Sequence, residues 1–378
     1  MEEWKEYRLG EMIQCNPQVK LEKGKSYNLI DIDSIEIGSR YVKGKELTEY
    51  DGQSGCHFQN GDTVMARITP CLENGKIAQV HCESKKGFGS TELFVFRGTE
   101  NKTDSDYVFN LMSMQFIRNL AANSMTGASG RQRADLGFIK RIKWNFPSLL
   151  TQQKIASILS AYDKLIQNYK KQIEALQTAA RELYKEWFVR FRFPGYQTAK
   201  FENGIPEGWK VEKVKNCVNR LPFGQTYKKD ELEPEGNVIV IDQSEDEYLG
   251  YHNNEPSHKA SAENPIALFG DHSCKYKLMI KDFSLGENII PYTSKGVDLY
   301  YLYYSVYKIV QTEEYKRHWN LFVNKKVLIP NTELQKSFRQ KVIPIFKQIE
   351  MLYKQITNLT QQRDLLLPCL MSGKIEVQ

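Results

Sequence analysis

Residues 159–183, LSAYDKLIQNYKKQIEALQTAAREL, set Leu159, Tyr162, Ile166, Tyr169, Ile173, Leu176 and Leu183 on one stripe, in alternating steps of three and four. That spacing marks a helix packed lengthwise against another helix. Residues 342–366, VIPIFKQIEMLYKQITNLTQQRDLL, do the same with Val342, Ile345, Ile349, Leu352, Ile356, Leu359 and Leu366, each 183 residues after its counterpart. A register-matched pair of stripes over three heptads points to an internal duplication. Leu159, Ile166, Tyr169, Ile173 and Leu176 are therefore expected to pack against Val342, Ile349, Leu352, Ile356 and Leu359. Two such helices in one chain pair most simply with each other, and a duplication with a pseudo-twofold axis makes the pair antiparallel.

The flanks repeat as well. Pro147 and Pro330 are 183 apart, as are Gln152 and Gln335. Proline just outside a helix start is tolerated because the first amides have no intrahelical partner. Thr332 with Gln335 forms a capping-box pattern, and Ser148 or Thr151 caps the first copy. Pro344, inside the second stripe, predicts a kink or a helix that begins after it, and Pro368 predicts its end. Ahead of the helices, Trp4, Lys5 and Leu9 match Trp209, Lys210 and Val214 at an offset of 205, so the second globular part is the shorter one. Fixed spacing in the helices with variable length elsewhere suggests a constant frame carrying exchangeable modules.

The modules read as mixed α and β. Short β-branched or aromatic runs at 62–68, 93–96 and 237–241 are strand-like, and 107–119 and 299–312 are helix-like. Pro194, Gly195, Gly204, Pro206 and Gly208 mark a linker. The expected fold is α+β: a first mixed module over 1–146, a helix over 147–192, a linker over 193–207, a second module over 208–329, a helix over 330–368 and a tail over 369–378. Each module is followed by its long helix in a pseudo-twofold repeat, and the helices form an antiparallel coiled coil.

Composition narrows the function. Hydrophobic residues make up 41% of the 378, enough for cores, and no apolar run is long enough to span a bilayer. The N-terminus is acidic and lacks a signal-peptide pattern. Seven cysteines, from Cys15 to Cys369 without a CxxC pair, fit reduced thiols and a cytoplasmic location. The net charge of +6 resides mainly in the helical segments: residues 151–200 hold 9 basic and 4 acidic side chains, whereas residues 1–150 hold 20 and 19. Any nucleic-acid surface on the modules must then be a local patch.

This layout resembles the specificity subunits of type I restriction-modification systems. The resemblance is carried by 142–153 leading into the first stripe, by Trp187-Phe188-Val189-Arg190-Phe191 and by Ile205-Pro206-Glu207-Gly208-Trp209. Gly61-Asp62-Thr63-Val64 and residues 127–133 add to it in the first module, and 264–270 and 320–330 are approximate counterparts in the second. The resemblance implies two target-recognition domains on double-stranded DNA. It also implies helices that set the spacer and dock two adenine-N6 methyltransferase subunits, and translocating nuclease subunits that join for cleavage. The chain itself would have no catalytic residue, metal or cofactor. Helices of about 35 residues measure about 50 Å, or roughly 15 base pairs, which suggests a bipartite, asymmetric target with an unread spacer.

Base edges and phosphates are read by forked or paired hydrogen-bonding side chains. In the first reader, Arg67, Thr69, Asn74 and Lys76 surround a strand end, and Ser129, Arg131, Gln132 and Arg133 sit in a Gly/Ser-rich loop. His272, Ser273, Lys275, Arg317, Asn320, Lys325 and Lys326 are their parallels in the second. Two other functions compete. One is a metal-dependent nuclease built on Asp62, Glu83 and Lys85; the other is a coiled-coil scaffold with no DNA role. Cys56, His57, Cys71, His81 and Cys82 do not follow a standard zinc spacing.

Overall fold

A computed structural model describes residues 4–127, 132–233, 236–244, 246–312 and 316–377. The chain divides into two units, one made of residues 1–167 and 357–378, the other of residues 168–356. Each unit holds one reader and a part of both long helices, Leu149–Tyr184 and Thr332–Met371.

The two helices start 183 residues apart, as the stripes require. Each start is capped by the residue before it: the Ser148 hydroxyl accepts from the Thr151 amide at 3.3 Å, and Asn331 Oδ1 accepts from the Leu334 amide at 2.9 Å. The expected Thr332–Gln335 box is not the cap, because Gln335 is engaged elsewhere. The second helix begins before Pro344 and runs through it; Pro344 and Gln340, whose carbonyl loses its partner, are both exposed, so water can serve that oxygen. Nor does Pro368 stop the helix. It continues to Met371, carrying Leu370 and Met371 into the core of the first unit, and Gly373 at φ 73° ends it. The first helix gives way at Lys185–Val189 to a π-turn.

In the first unit, Ile155, Ala156 and Leu159 of the first helix share a core with Leu370 and Met371 of the second. In the second unit, Ile173 and Ala180 share one with Phe338, Val342, Phe346, Ile349 and Leu352, and Tyr184 meets Phe338 edge-on at 6.2 Å. In both units early residues of one helix meet late residues of the other, so the pairing is antiparallel. Ile166 is also buried, whereas Tyr169, Leu176, Ile356 and Leu359 are half-buried on the same stripes.

The readers share one topology. In the first, Ile13–Cys15, Leu93–Gly98, Thr63–Ala66, Ile77–Val80 and Tyr41–Val42 lie side by side in that order. In the second, Val218–Arg220, Ile289–Ser294, Ile266–Gly270 and Tyr276–Met279 repeat the first four places. A second sheet in each is built around one parallel pair, Ser26–Ile30 with Lys86–Gly89 and Val238–Ile241 with Phe283–Leu285. Two-stranded ribbons, Lys5–Arg8 with Lys143–Phe146 and Lys210–Lys213 with Lys326–Ile329, lead each reader into its helix. The helix-like run at 107–119 is two helices, Ser105–Ser113 and Gln115–Asn123, and that at 299–312 is shortened to Leu299–Val306.

One side chain fixes each reader to its helix. Gln152 donates to the Pro147 carbonyl at 3.0 Å and accepts from the Asp104 amide at 3.1 Å; Gln335 donates to Pro330 at 2.8 Å and accepts from Asp298 at 2.8 Å. Asp104 and Asp298 in turn cap the reader helices through the Tyr107 and Tyr301 amides. The neighbouring contacts have diverged. In the first unit, buried Arg40 bonds Asp106 at 3.0 Å and Asp163 at 2.9 Å, and Arg363 bonds the other Asp163 oxygen at 2.8 Å. The matching positions in the second unit are Tyr300, Phe346 and Ala180, with the two rings 4.6 Å apart.

Removing either glutamine strands a half-buried amide, so Gln152→Ala and Gln335→Ala should each lower unfolding free energy by about 1–3 kcal/mol in denaturant titrations; no change in either would contradict the clamp. Asp163→Ala should cost about 3–5 kcal/mol, because it leaves two guanidiniums facing a buried gap. Glu6→Ala, which breaks the exposed Lys143 pair, should cost less than about 1 kcal/mol in the same assay.

Candidate nucleic-acid interface

In the first reader the structure joins two stretches that are far apart in sequence. The Thr69 amide donates to the Gln132 carbonyl at 3.0 Å, the Gln132 amide donates to the Thr69 hydroxyl at 3.2 Å, and the Ala134 amide donates to the Arg67 carbonyl at 2.8 Å. Arg67, Thr69, Gln132 and Arg133 therefore share one edge. Arg133 is exposed but not free: it grips Glu92 with contacts of 2.6, 2.9 and 3.0 Å, which holds the Glu92 carboxyl below its ordinary range. Lys76 reaches the Ile32 carbonyl at 3.0 Å and Asp33 at 3.5 Å, and Asn74 is exposed in the turn before it. Ser129 and Arg131 lie outside the described residues.

Beside this edge a groove of about 470 Å³ is lined by Gln18, Lys20, His57, Arg67 and Thr91 among others, with no acidic residue in its wall among the described residues. Sequence reading passed over Gln18, Lys20 and Thr91 and weighed His57 only as a metal ligand. Gln18 and Lys20 are exposed and Val19 buried, an alternation too short to register as a motif, and His57 is brought in only by sheet pairing.

In the second reader, His272, Ser273 and Lys275 occupy the turn between Ile266–Gly270 and Tyr276–Met279. The Lys275 ammonium donates to the Asp246 carbonyl at 2.6 Å, and burial pulls its pKa down. Arg317 lies 3.8 Å from Asp271, and Asn320 is on the short helix Trp319–Asn324. Lys325 and Lys326 belong elsewhere, in and beside the ribbon strand: the Val214 amide donates to the Lys325 carbonyl, and Lys326 pairs with Lys213.

The proposed nuclease carboxylate is occupied. Asp62 is buried, bonded by Arg97 at 2.6 and 2.7 Å and by the Gln59 amide at 2.8 Å, whereas Glu83 and Lys85 are exposed. Among the described residues there is no group of three or more acidic, His or Cys side chains placed to hold a metal. The cysteines are free thiols, and burial raises Cys56 to about 12 and Cys82 to about 11. Among the described residues no helix is long and apolar enough to cross a membrane.

Residues 1–178 match the family described as type I restriction modification DNA specificity domain. The chain is 27% identical over 321 residues to the type I restriction enzyme MjaIX specificity subunit of Methanocaldococcus jannaschii, covering 72% of this chain and 70% of that protein. With the MjaVIII specificity subunit of the same organism it shares 23% identity, over 100% of this chain and 94% of that one. Among solved structures, the type I restriction-modification S subunit of M. genitalium aligns over 98% of this chain and 96% of that one, at 16% identity and a TM-score of 0.48. Residues 1–178 thus match a DNA specificity domain. Over most of its length the chain is similar to type I restriction-modification specificity subunits.

The second reader carries a pH dependence of its own. His252 stacks on Tyr227 at 4.2 Å and bonds Ser284 at 2.9 Å; His258 stacks on Phe283 at 5.0 Å and bonds the Phe223 carbonyl at 3.1 Å. Burial holds both imidazoles below the ordinary 6.5. The unfolded chain therefore binds protons more readily, and stability that is full above pH 6.5 is lost as pH falls below it. Hydrogen exchange of the Val238–Ile241 strand should quicken, beyond the intrinsic pH effect, between pH 7 and 5; constant protection would contradict this.

Proposed function

We propose that this chain reads a bipartite, asymmetric target in double-stranded DNA, one half-site per reader. The paired helices serve as the spacer and dock two adenine-N6 methyltransferase subunits, to which translocating nuclease subunits add. Chemistry lies in those cytoplasmic partners, and this chain selects the sequence. The observation that carries the proposal is the repetition of one reader topology with different side chains at its loops. Equal scaffolds hold equal positions on a ligand, and unequal loops read unequal letters. The contacts are drawn from Arg67, Thr69, Asn74, Lys76, Ser129, Arg131, Gln132 and Arg133 in the first reader. In the second they are drawn from His272, Ser273, Lys275, Arg317, Asn320, Lys325 and Lys326.

Expressed in cells with an adenine-N6 methyltransferase encoded beside it, the chain should yield one methylated-adenine motif with two blocks of letters around an unread gap. A seven-residue deletion within 160–180, matched by one within 343–363, should change the gap or abolish methylation while leaving the letters of both blocks intact. New letters in either block would show that the helices read bases and would overturn the proposal.

A further inference from the structure

The two readers share one register at the end of one central strand. Leu93 pairs with Ala66 in the first reader, and Ile289 pairs with Gly270 in the second. The next residue is Arg67 in one and Asp271 in the other. Their backbones are held alike: the Arg67 amide donates to the Glu92 carbonyl at 3.0 Å and its carbonyl accepts from Ala134, while the Asp271 amide donates to Asn288 at 2.8 Å and its carbonyl accepts from His318.

Their side chains differ in kind. The Asp271 carboxylate is spent inside the fold, accepting the His318 and Trp319 amides at 3.1 and 2.9 Å. The Arg67 guanidinium lies 4.9 Å from the centre of the Phe94 ring, makes no ion pair or side-chain hydrogen bond among the described residues, and keeps a buried Nε without a partner. Glu92, an acid that Arg67 acts on, is gripped by Arg133, and the groove that Arg67 lines contains Lys20 and His57 but no carboxylate among the described residues. A buried donor left unpaired costs free energy, and a guanidinium whose centre is held close to a ring presents a fixed fork of donors. The acceptor pair that such a fork fits in duplex DNA is O6 and N7 of guanine in the major groove.

We infer that Arg67 is a base-reading residue of the first reader, specific for guanine, and that Asp271 leaves the second reader without a counterpart. This rests on the reading of the chain as a DNA-specificity subunit. Full-length wild-type, Arg67→Lys and Arg67→Ala chains would each select duplexes from a random-sequence library at 0.1 M salt. Wild type should recover two blocks, one containing guanine. Both variants should lose that guanine and bind the wild-type duplex about 10- to 100-fold more weakly, with the other block unchanged. Lysine keeps the charge and the aliphatic packing, so a folded R67K chain separates fork from charge. An R67K chain that keeps the guanine, or a uniform loss with every letter retained, marks a phosphate contact and overturns the assignment. Wild type recovering no motif overturns the specificity reading itself, and the assignment with it.

Discussion

Neither long helix can bury its apolar stripe alone. In the first unit the core around Leu159 is completed by Leu370 and Met371 from the last turn of the other helix, and in the second the core around Val342 and Phe346 is completed by Ile173 and Ala180. Each helix thus supplies the start of one unit's frame and the end of the other's. Antiparallel pairing follows, because only that direction brings the close of each helix to the opening of its twin. This constraint explains why the spacing of the stripes is identical in both copies while the readers differ in length.

On this common frame the two halves have kept backbone devices and exchanged side-chain chemistry. The Gln152 and Gln335 clamps are the same device twice, each tying a helix start to the cap of a reader helix. Directly beside them, the buried Arg40–Asp106–Asp163–Arg363 set faces an aromatic contact of Tyr300 with Phe346 at the matching place. Buried ion pairs hold little net stability against apolar packing of equal volume but exclude mismatched partners strongly. The divergence therefore makes the halves unequal where they join the frame, and Arg67 against Asp271 makes them unequal at the end of the matching strand.

Much of the frame was legible in sequence because a 3.5-residue repeat is local and redundant: seven matched positions at one offset survive any single exception. Pro368 misled for the opposite reason: the helix runs through it to Met371, where Leu370 and Met371 enter the core of the first unit. At Pro344 the helix has already begun, and Gln340, four residues before it, is exposed. The reader topology was not legible. The strand order depends on contacts such as Thr63 with Phe96, which no local pattern announces. At the interface, residue type pointed to Arg67, Thr69 and Gln132 but not to their meeting, and it gave Arg133 the same weight as Arg67. Only the fold shows that Arg133 is bound to Glu92 and that Arg67 is left open.

The division into a shared frame and separable readers is tested most directly by exchange. Replacing residues 208–329 with the corresponding segment of a type I specificity subunit, and reading the methylated-adenine motif in cells, should change the letters of one block and leave the other block intact. A motif altered in both blocks, or unchanged in both, would contradict the account.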